Sequence, residues 1–137
     1  MKLAFVDSDI LLDVILDREP FYTISAQVLS LPGSSGFKCC TSVHTLLNVH
    51  YLTQKHHGKE IAIASVKLLL SKLQIISEDV SIVDQAVVSD FSDFEDAVQF
   101  YAAKSANADF IITRNTKDYK HSTIPVLTAE QFLRTLY

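Results

Sequence analysis

The chain is poor in residues that interrupt regular structure or cross-link a secreted fold. It contains three glycines, three prolines, no tryptophan and two cysteines, and these cysteines, Cys39 and Cys40, are adjacent. So few chain breakers exclude a linker-rich or disordered protein and indicate ordered globular structure. Neighbouring Cα atoms lie about 3.8 Å apart, which is below the usual disulfide range. We therefore expect both thiols to be reduced and the protein to be cytoplasmic.

Long hydrophobic runs and an excess of basic residues are also lacking. The apolar stretches are too short and too often interrupted to span a bilayer, and the first residues lead directly into a short strand and a run of aspartates. We therefore expect neither a membrane segment nor a signal peptide. A formal net charge of -4 lacks the strongly basic character that most simply marks a nucleic-acid-binding domain. Any such role has to depend on local patches.

Short apolar runs alternate along the chain with helical patterns. The 137 residues are 48% hydrophobic, which fits a single domain over residues 1–137 that buries roughly 70% of the surface exposed by its unfolded chain. Continuous apolar strands between helices are typical of a parallel sheet covered on both faces. We expect a three-layer α/β/α sandwich with a central, mostly parallel sheet. The predicted strands are 3–6, 37–41, 73–76, 109–113 and 126–127, and the predicted helices are 10–18, 21–31, 42–55, 59–72, 92–105 and 128–136.

Oxygen-bearing side chains follow two of the predicted strands. Asp7 and Asp9 come just after the first strand, and Asn115 and Asp118 follow the strand at 109–113. Ligands of parallel sheets bind outside the carboxyl ends of the strands, so both groups are expected at one edge. Carboxylates brought together without matching bases repel one another, which favours a hard divalent cation between them.

Two stretches of the sequence stand out as motifs. The first is VDSDILLD at residues 6–13, and the second covers residues 93–103 and 108–119, the last of these reading ADFIITRNTKDY. Taken in order, they resemble the PIN-domain family, and within it the bacterial PIN proteins related to VapC-type toxins. The resemblance implies a PIN-like fold and a metal-dependent endoribonuclease, whose bound Mg²⁺ or Mn²⁺ activates a water against an RNA phosphodiester. It also implies the toxin of a toxin-antitoxin pair, with an antitoxin protein as partner.

The resemblance carries roles over to single residues. It implies a catalytic set of Asp7, Asp96, Asn115 and Asp118, in which Asp7, Asp96 and Asp118 bind the metal. Asp9 replaces a residue that is usually neutral in the family, and it is expected to be a further metal ligand.

Substrate contacts are predicted for Ser8, Arg114 and Lys117. Basic residues beside a carboxylate crevice are placed to grip a phosphate backbone, although the same residues could simply solvate a loop. Asp93 and Thr113 are further candidates for the site.

One position departs from the family pattern. Asn48 stands where relatives usually carry Glu, and a neutral amide coordinates a cation more weakly than a carboxylate does. Either metal affinity falls or Asp9 supplies the missing charge. The alternative to a ribonuclease is therefore a catalytically weak PIN fold that acts as an RNA-binding or partner-binding module.

Other acidic residues have structural explanations. Asp93 and Glu95 lie in the first turn of a predicted helix, where acids are favoured, and Ser92 with Glu95 fits a capping box. Asp13 and Asp17 fit the solvated face of the first helix. The five histidines lack any spacing that would group zinc ligands.

The predicted helices at 21–31 and 61–70 carry more apolar surface than one face can bury. Exposed apolar patches mark interaction sites. Together with the pairing that is common among PIN relatives, this predicts a homodimer.

Overall fold

The computed structural model describes residues 1–33 and 36–136. These residues form one sheet of five strands, seven α-helices and a 3₁₀ helix at Thr116–Tyr119. The strands are β1 (Lys2–Val6), β2 (Phe37–Ser42), β3 (Gln74–Ile76), β4 (Phe110–Ile112) and β5 (Val126–Leu127). The helices are α1 (Ser8–Ile15), α2 (Tyr22–Ser30), α3 (Val43–His57), α4 (Lys59–Lys72), α5 (Val80–Val87), α6 (Phe94–Ser105) and α7 (Ala129–Arg134).

The sheet has the strand order β3-β2-β1-β4-β5, and every neighbouring pair is parallel. Strand β1 is central, with Phe5 opposite Cys40 on β2 and Val6 opposite Ile112 on β4. The chain builds the sheet outward from β1 on one side with β2 and β3, and on the other with β4 and β5. Such a switch point opens a crevice outside the carboxyl ends of its two strands. The acidic motifs at the ends of β1 and β4 border that crevice.

The two faces of the sheet are covered by separate cores. Side chains alternate along a strand, so Ala4 and Val6 of β1 pack into one core and Phe5 packs into the other. The first core contains residues of α1, α2, α3, α4 and α7, and the second contains residues of α5 and α6. Because β1 is buried on both faces, it reads as a continuous apolar run. This arrangement confirms the predicted three-layer α/β/α sandwich.

Helix α5 has no counterpart among the predicted elements. It begins after Asp79, whose side chain accepts a hydrogen bond from the backbone N–H of Ile82 at 3.1 Å. Only Ile82 and Ala86 are buried in this helix, while Val80 and Val87 are exposed. The apolar residues of this helix all lie along one half of it, at the spacing of an amphipathic helix, and only part of that half is buried. The helical pattern was therefore present in the sequence and was missed.

The start of α6 differs from the predicted capping box. Asp93 is the N-cap, and its side chain accepts from the backbone N–H of Asp96 at 3.0 Å. The prediction that Ser92 caps this helix together with Glu95 was wrong by one residue, because Asp93 provides an equally good capping oxygen one position later.

No helix within the two described ranges combines the length and apolar character that crossing a bilayer requires.

Candidate active site

Asp7 lies buried where β1 ends and α1 begins. Its backbone N–H donates to the Ile112 carbonyl at 3.0 Å, and one carboxylate oxygen caps α1 by accepting from the Ser8 backbone N–H at 2.6 Å. The other carboxylate oxygen accepts from the Thr113 hydroxyl at 2.8 Å and from the Tyr119 hydroxyl at 3.2 Å. Groups from both sides of the crevice therefore fix the orientation of this carboxylate.

Asp9 connects α1 to the segment that follows β4. Its Oδ2 accepts from the Arg114 backbone N–H at 2.9 Å, from the Thr113 hydroxyl at 3.2 Å and from the Asn115 side-chain amide at 3.3 Å. Its Oδ1 is buried and has no hydrogen-bond partner among the residues that the structure describes. A buried carboxylate oxygen without a donor is costly, so this atom marks a place where a ligand would be favourable.

Asp96 lies half-buried in the first turn of α6. Its pKa is raised to about 7, first by burial and then by the charges of Asp7, Asp93 and Asp118. Asp7, Asp96 and Asp118 belong to three separate elements and are nevertheless close enough to influence one another's ionisation. The fold therefore brings the predicted acids into one electrostatic cluster.

The pKa values of the two acids after β1 are also raised. Burial raises the pKa of Asp7, and hydrogen bonds, that of Thr113 first, offset part of the rise. Burial and then the charge of Asp7 raise the pKa of Asp9 to about 6, against the lowering effects of the Arg114 backbone bond and guanidinium. The crevice thus concentrates more negative charge than its neighbouring bases compensate.

A divalent cation fits the donor chemistry of this crevice. Carboxylate oxygens are the ligands of hard cations such as Mg²⁺ and Mn²⁺, and Asp9 Oδ1 is free of competing donors within the described residues. Within residues 1–33 and 36–136, no three His, Cys, Asp or Glu side chains are placed to hold a metal ion by themselves. Mg²⁺ commonly keeps several waters and takes only one or two carboxylates, so the residues present fit a sparsely ligated ion.

Asp13, predicted on the solvated face of α1, is fully buried, and that prediction was wrong. Its Oδ1 accepts from Arg18 Nε and from Arg114 Nη2, both at 3.1 Å. Its Oδ2 accepts from Arg114 Nε at 3.0 Å and from the Ser25 hydroxyl at 3.3 Å. The Arg114 guanidinium also lies 4.0 Å from the centroid of the Phe21 ring. These donors, which the α1 sequence does not reveal, account for the burial of the charge.

The other predicted site residues differ in their burial. The Ser8 hydroxyl lies 3.4 Å from an Asp7 oxygen, and Lys117 and Asp118 are exposed on the 3₁₀ helix. Asn48 is half-buried on α3, and no hydrogen bond within the described residues joins it to the crevice acids. Asp93 caps α6, as its structural explanation predicted. The catalytic, metal-binding and substrate-binding roles of all these residues stay predictions.

Two residues at the site were not singled out from the sequence. The Tyr119 hydroxyl donates to Asp7 at 3.2 Å, and the Gln99 side chain is close enough to lower the pKa of Asp7. Gln99 follows Asp96 by three residues, so its position on the same face of α6 was a usable signal. Tyr119 offered only its place directly after Asp118, and aromatic residues there are as readily assigned to the core.

Comparison with known proteins decides the family. A family model of the PIN domain matches residues 4–117, a range that contains Asp7, Asp96 and Asn115 and ends one residue before Asp118. The chain belongs to the PIN-domain family. This finding confirms the resemblance carried by the two sequence stretches.

Individual proteins similar to this chain include a ribonuclease and a chain of a toxin-antitoxin complex. Ribonuclease VapC1 of Aquifex aeolicus (strain VF5) is 28% identical over 134 residues, which cover 94% of this chain and 92% of that protein. A toxin-antitoxin complex from Klebsiella pneumoniae contains a chain that is 26% identical, with a TM-score of 0.69 over 92% of this chain and 97% of the other. The DNA-bound VapBC of Salmonella typhimurium matches at 17% identity with a TM-score of 0.70 over 94% and 99%, which shows the shared fold alone.

Proposed function

We propose that this PIN domain is a divalent-metal-dependent endoribonuclease that hydrolyses phosphodiester bonds of RNA. The observation that carries the proposal is the gathering of acids at one edge of the sheet: Asp7 and Asp9 meet at the Thr113 hydroxyl, and Asp9 Oδ1 is buried without a donor among the described residues. Burial and the neighbouring charges also raise the pKa of Asp96 to about 7. A bound dication would relieve that repulsion by favouring the ionised carboxylates. RNA as the substrate is supported by the 28% identity to a protein named Ribonuclease VapC1.

Asp7, Asp9, Asp96 and Asp118 are the residues that would hold Mg²⁺ or Mn²⁺. When bound, such an ion supplies a nucleophile near neutral pH and stabilises charge on the phosphate oxygens. Asp9 contributes a buried carboxylate oxygen, Oδ1, that has no hydrogen-bond partner among the described residues, and is therefore proposed as a ligand beside the family's own acids.

The surrounding residues have positioning and substrate roles in this proposal. The Thr113 hydroxyl lies 2.8 Å from an Asp7 oxygen and 3.2 Å from an Asp9 oxygen, and the two carboxylates share its single hydrogen, which keeps them close together. The Asn115 amide, which bonds to Asp9, would orient the attacking water. Ser8 and the exposed Lys117 would contact the phosphate backbone, where a mobile point charge is favourable.

Asn48 is proposed to limit the activity. It replaces a carboxylate by an amide near a site that binds through negative charge, so metal affinity is expected to be lower than with Glu at this position. Asp9 compensates for part of that loss.

We further propose that the protein is the toxin of a toxin-antitoxin pair and forms a homodimer. The antitoxin is supported by the likeness to the Klebsiella pneumoniae toxin-antitoxin complex. For the homodimer, α4 exposes Ile61, Ile63, Leu68 and Leu70, whereas Val28 and Leu29 of α2 are buried. The apolar surface that supports pairing therefore lies on α4 rather than on α2.

Cleavage of single-stranded RNA with Mn²⁺ tests the proposed function. Wild type should cleave, chelator should stop cleavage, and Asp7→Asn should reduce the rate at least about 100-fold, because the central carboxylate of the site is lost. Asp17→Asn is the matched control, since Asp17 is an exposed acid just beyond α1 and away from the crevice. If wild type and both variants bind RNA but none of them cleaves it, the binding-module alternative is favoured instead.

A further inference from the structure

Asp13 is the only fully buried carboxylate among the described residues, and all four of its hydrogen bonds come from side chains. Two of the four come from Arg114, whose Nε and Nη2 bind the two carboxylate oxygens in a fork-to-fork arrangement. Such bidentate pairs fix orientation as well as charge. Asp13 therefore holds the Arg114 side chain in one place.

Arg114 belongs to the segment that carries much of the crevice chemistry. We call residues 113–119 the site turn; it contains Thr113, Asn115 and Asp118. The Arg114 backbone N–H donates to Asp9 at 2.9 Å while its guanidinium binds Asp13. Asp9 and Asp13 are one helical turn apart on α1, so this helix binds both the backbone and the side chain of Arg114.

We propose that Asp13 is a positioning residue that acts through Arg114 to fix the site turn against α1. The inference rests on the proposed nuclease and deepens it: Asp13 touches neither metal nor substrate, but it sets where Thr113 and Asn115 stand relative to Asp7 and Asp9. Arg114 correspondingly serves as an anchor of the turn, because its guanidinium is engaged by Asp13 and lies 4.0 Å from the Phe21 ring centroid.

The structure provides a matched pair of variants to test this role. Arg18 binds the same carboxylate through its Nε at 3.1 Å, and its side chain is 37% exposed, against 31% for Arg114. Its Nη2 also donates to the backbone carbonyl of Asp9 at 3.2 Å, so within the described residues its side chain bonds to α1 and to no residue after β4. Arg18 does not belong to the site turn. Arg114→Met and Arg18→Met therefore each remove one ion pair from Asp13, but only Arg114→Met releases the turn. Replacing Asp13 itself would leave two arginines without their acceptor and endanger folding.

The experiment measures three quantities on wild type and both variants. Amide hydrogen exchange over residues 113–119 reports the order of the site turn without any metal or RNA. Calorimetric titration with Mn²⁺ reports the metal site, and steady-state cleavage of a single-stranded RNA separates kcat from KM. Arg114→Lys keeps the positive charge but cannot make the two parallel hydrogen bonds of the guanidinium to Asp13, so it should give intermediate values.

Positioning by Asp13 predicts a specific pattern. Arg114→Met should exchange faster over the site turn, bind Mn²⁺ about 10-fold more weakly and lose kcat by a similar factor, as is usual for residues that orient metal ligands. Its KM should stay within about twofold, and Arg18→Met should match wild type in all three measurements after correction for stability.

Three results would overturn the inference. Equal changes in both variants would mean that Asp13 only stabilises the fold, and unchanged exchange in Arg114→Met would mean that the pair does not order the turn. A rise in KM alone would make Arg114 a phosphate-binding residue. A wild type that neither binds Mn²⁺ nor cleaves RNA would refute the proposed nuclease, and with it the catalytic side of this inference, while exchange would still report whether Asp13 orders the turn.

Discussion

The Tyr119 hydroxyl donates to Asp7 across the crevice at 3.2 Å, although the two residues are 112 positions apart in the chain. Tyr119 is almost completely buried, and the charge of Asp7 adds to burial in raising the pKa of its hydroxyl. The hydroxyl is therefore a permanent donor in the working pH range. It helps to keep the buried Asp7 carboxylate ionised, since this hydrogen bond lowers the pKa of Asp7.

Tyr119→Phe should destabilise the protein by about 1 kcal/mol, the usual net value of a buried hydrogen bond. It should also weaken Mn²⁺ binding at pH 7, because Asp7 loses a donor that favours its ionised form. Urea unfolding and calorimetry measure the two effects. Tyr101→Phe is the control, since the Tyr101 hydroxyl makes no hydrogen bond within the described part of the chain. Equal behaviour of the two variants would contradict the assigned role of Tyr119.

The stability of the metal-free protein should depend on Asp96 in a definite direction of pH. The pKa of Asp96 is about 7 in the folded protein and 3.8 in its ordinary state. Between these values the folded protein holds a proton that the unfolded chain has released, so stability falls as pH rises from about 4 to about 7. Asp96→Asn removes this component. In the presence of chelator, the free energy of unfolding of the variant should increase relative to that of wild type from pH 5 to pH 8. A difference between the two free energies that does not change with pH would contradict the prediction.

Metal binding should release protons near pH 6.5. The pKa values of about 6 for Asp9 and about 7 for Asp96 mean that both carboxyls are partly protonated there, and a dication binds their ionised forms. Mn²⁺ affinity should therefore increase from pH 5.5 to pH 8. Calorimetry in two buffers of different ionisation enthalpy counts the protons, and Asp96→Asn should lower the count. Heats that are independent of the buffer would count against these carboxyls as ligands.

Asn48→Glu should strengthen divalent binding and raise the cleavage rate. A carboxylate gains far more from a dication than an amide does, so an increase of about 10-fold in Mn²⁺ affinity is expected from the added charge. Asn48→Gln is the matched control because it has the length of Glu without its charge. Both variants and wild type are compared on one single-stranded RNA at equal Mn²⁺. If Glu and Gln act alike, Asp9 already supplies the missing charge.

The protein should be a dimer in solution. Light scattering should give about twice the 15.3 kDa of one chain. Leu70→Lys, which places a charge on the exposed apolar surface of α4, should shift the mass toward one chain, whereas Val80→Lys on α5 is a control at a still more exposed apolar position. A mass of 15.3 kDa for wild type across micromolar concentrations would reject the dimer.

Much of the architecture was predictable because local patterns determine it. The apolar run before Asp7 is a strand buried on both faces, and the predicted α4 at 59–72 and β5 at 126–127 have the observed bounds. The acids that follow β1 and β4 were placed at one edge by the rule for parallel sheets alone.

The contacts between distant segments were not predictable in the same way. Asp13 looks like any solvated acid of α1 until Arg114, 101 residues later, is brought beside it. Tyr119 likewise gains its role only from the position of Asp7 across the crevice. Local periodicity carries no information on such pairs, and the family resemblance names ligands rather than the residues that orient them.

The central position of β1 determines when the crevice can form during synthesis by a ribosome. Asp7 and Asp9 are synthesised more than 100 residues before Thr113, Arg114 and Tyr119, which bind them. Until those residues emerge, the early carboxylates lack these donors and β1 has no β4 to pair with. A growing chain therefore cannot assemble this crevice before Tyr119 has been made, and whatever chemistry the crevice performs begins only after that.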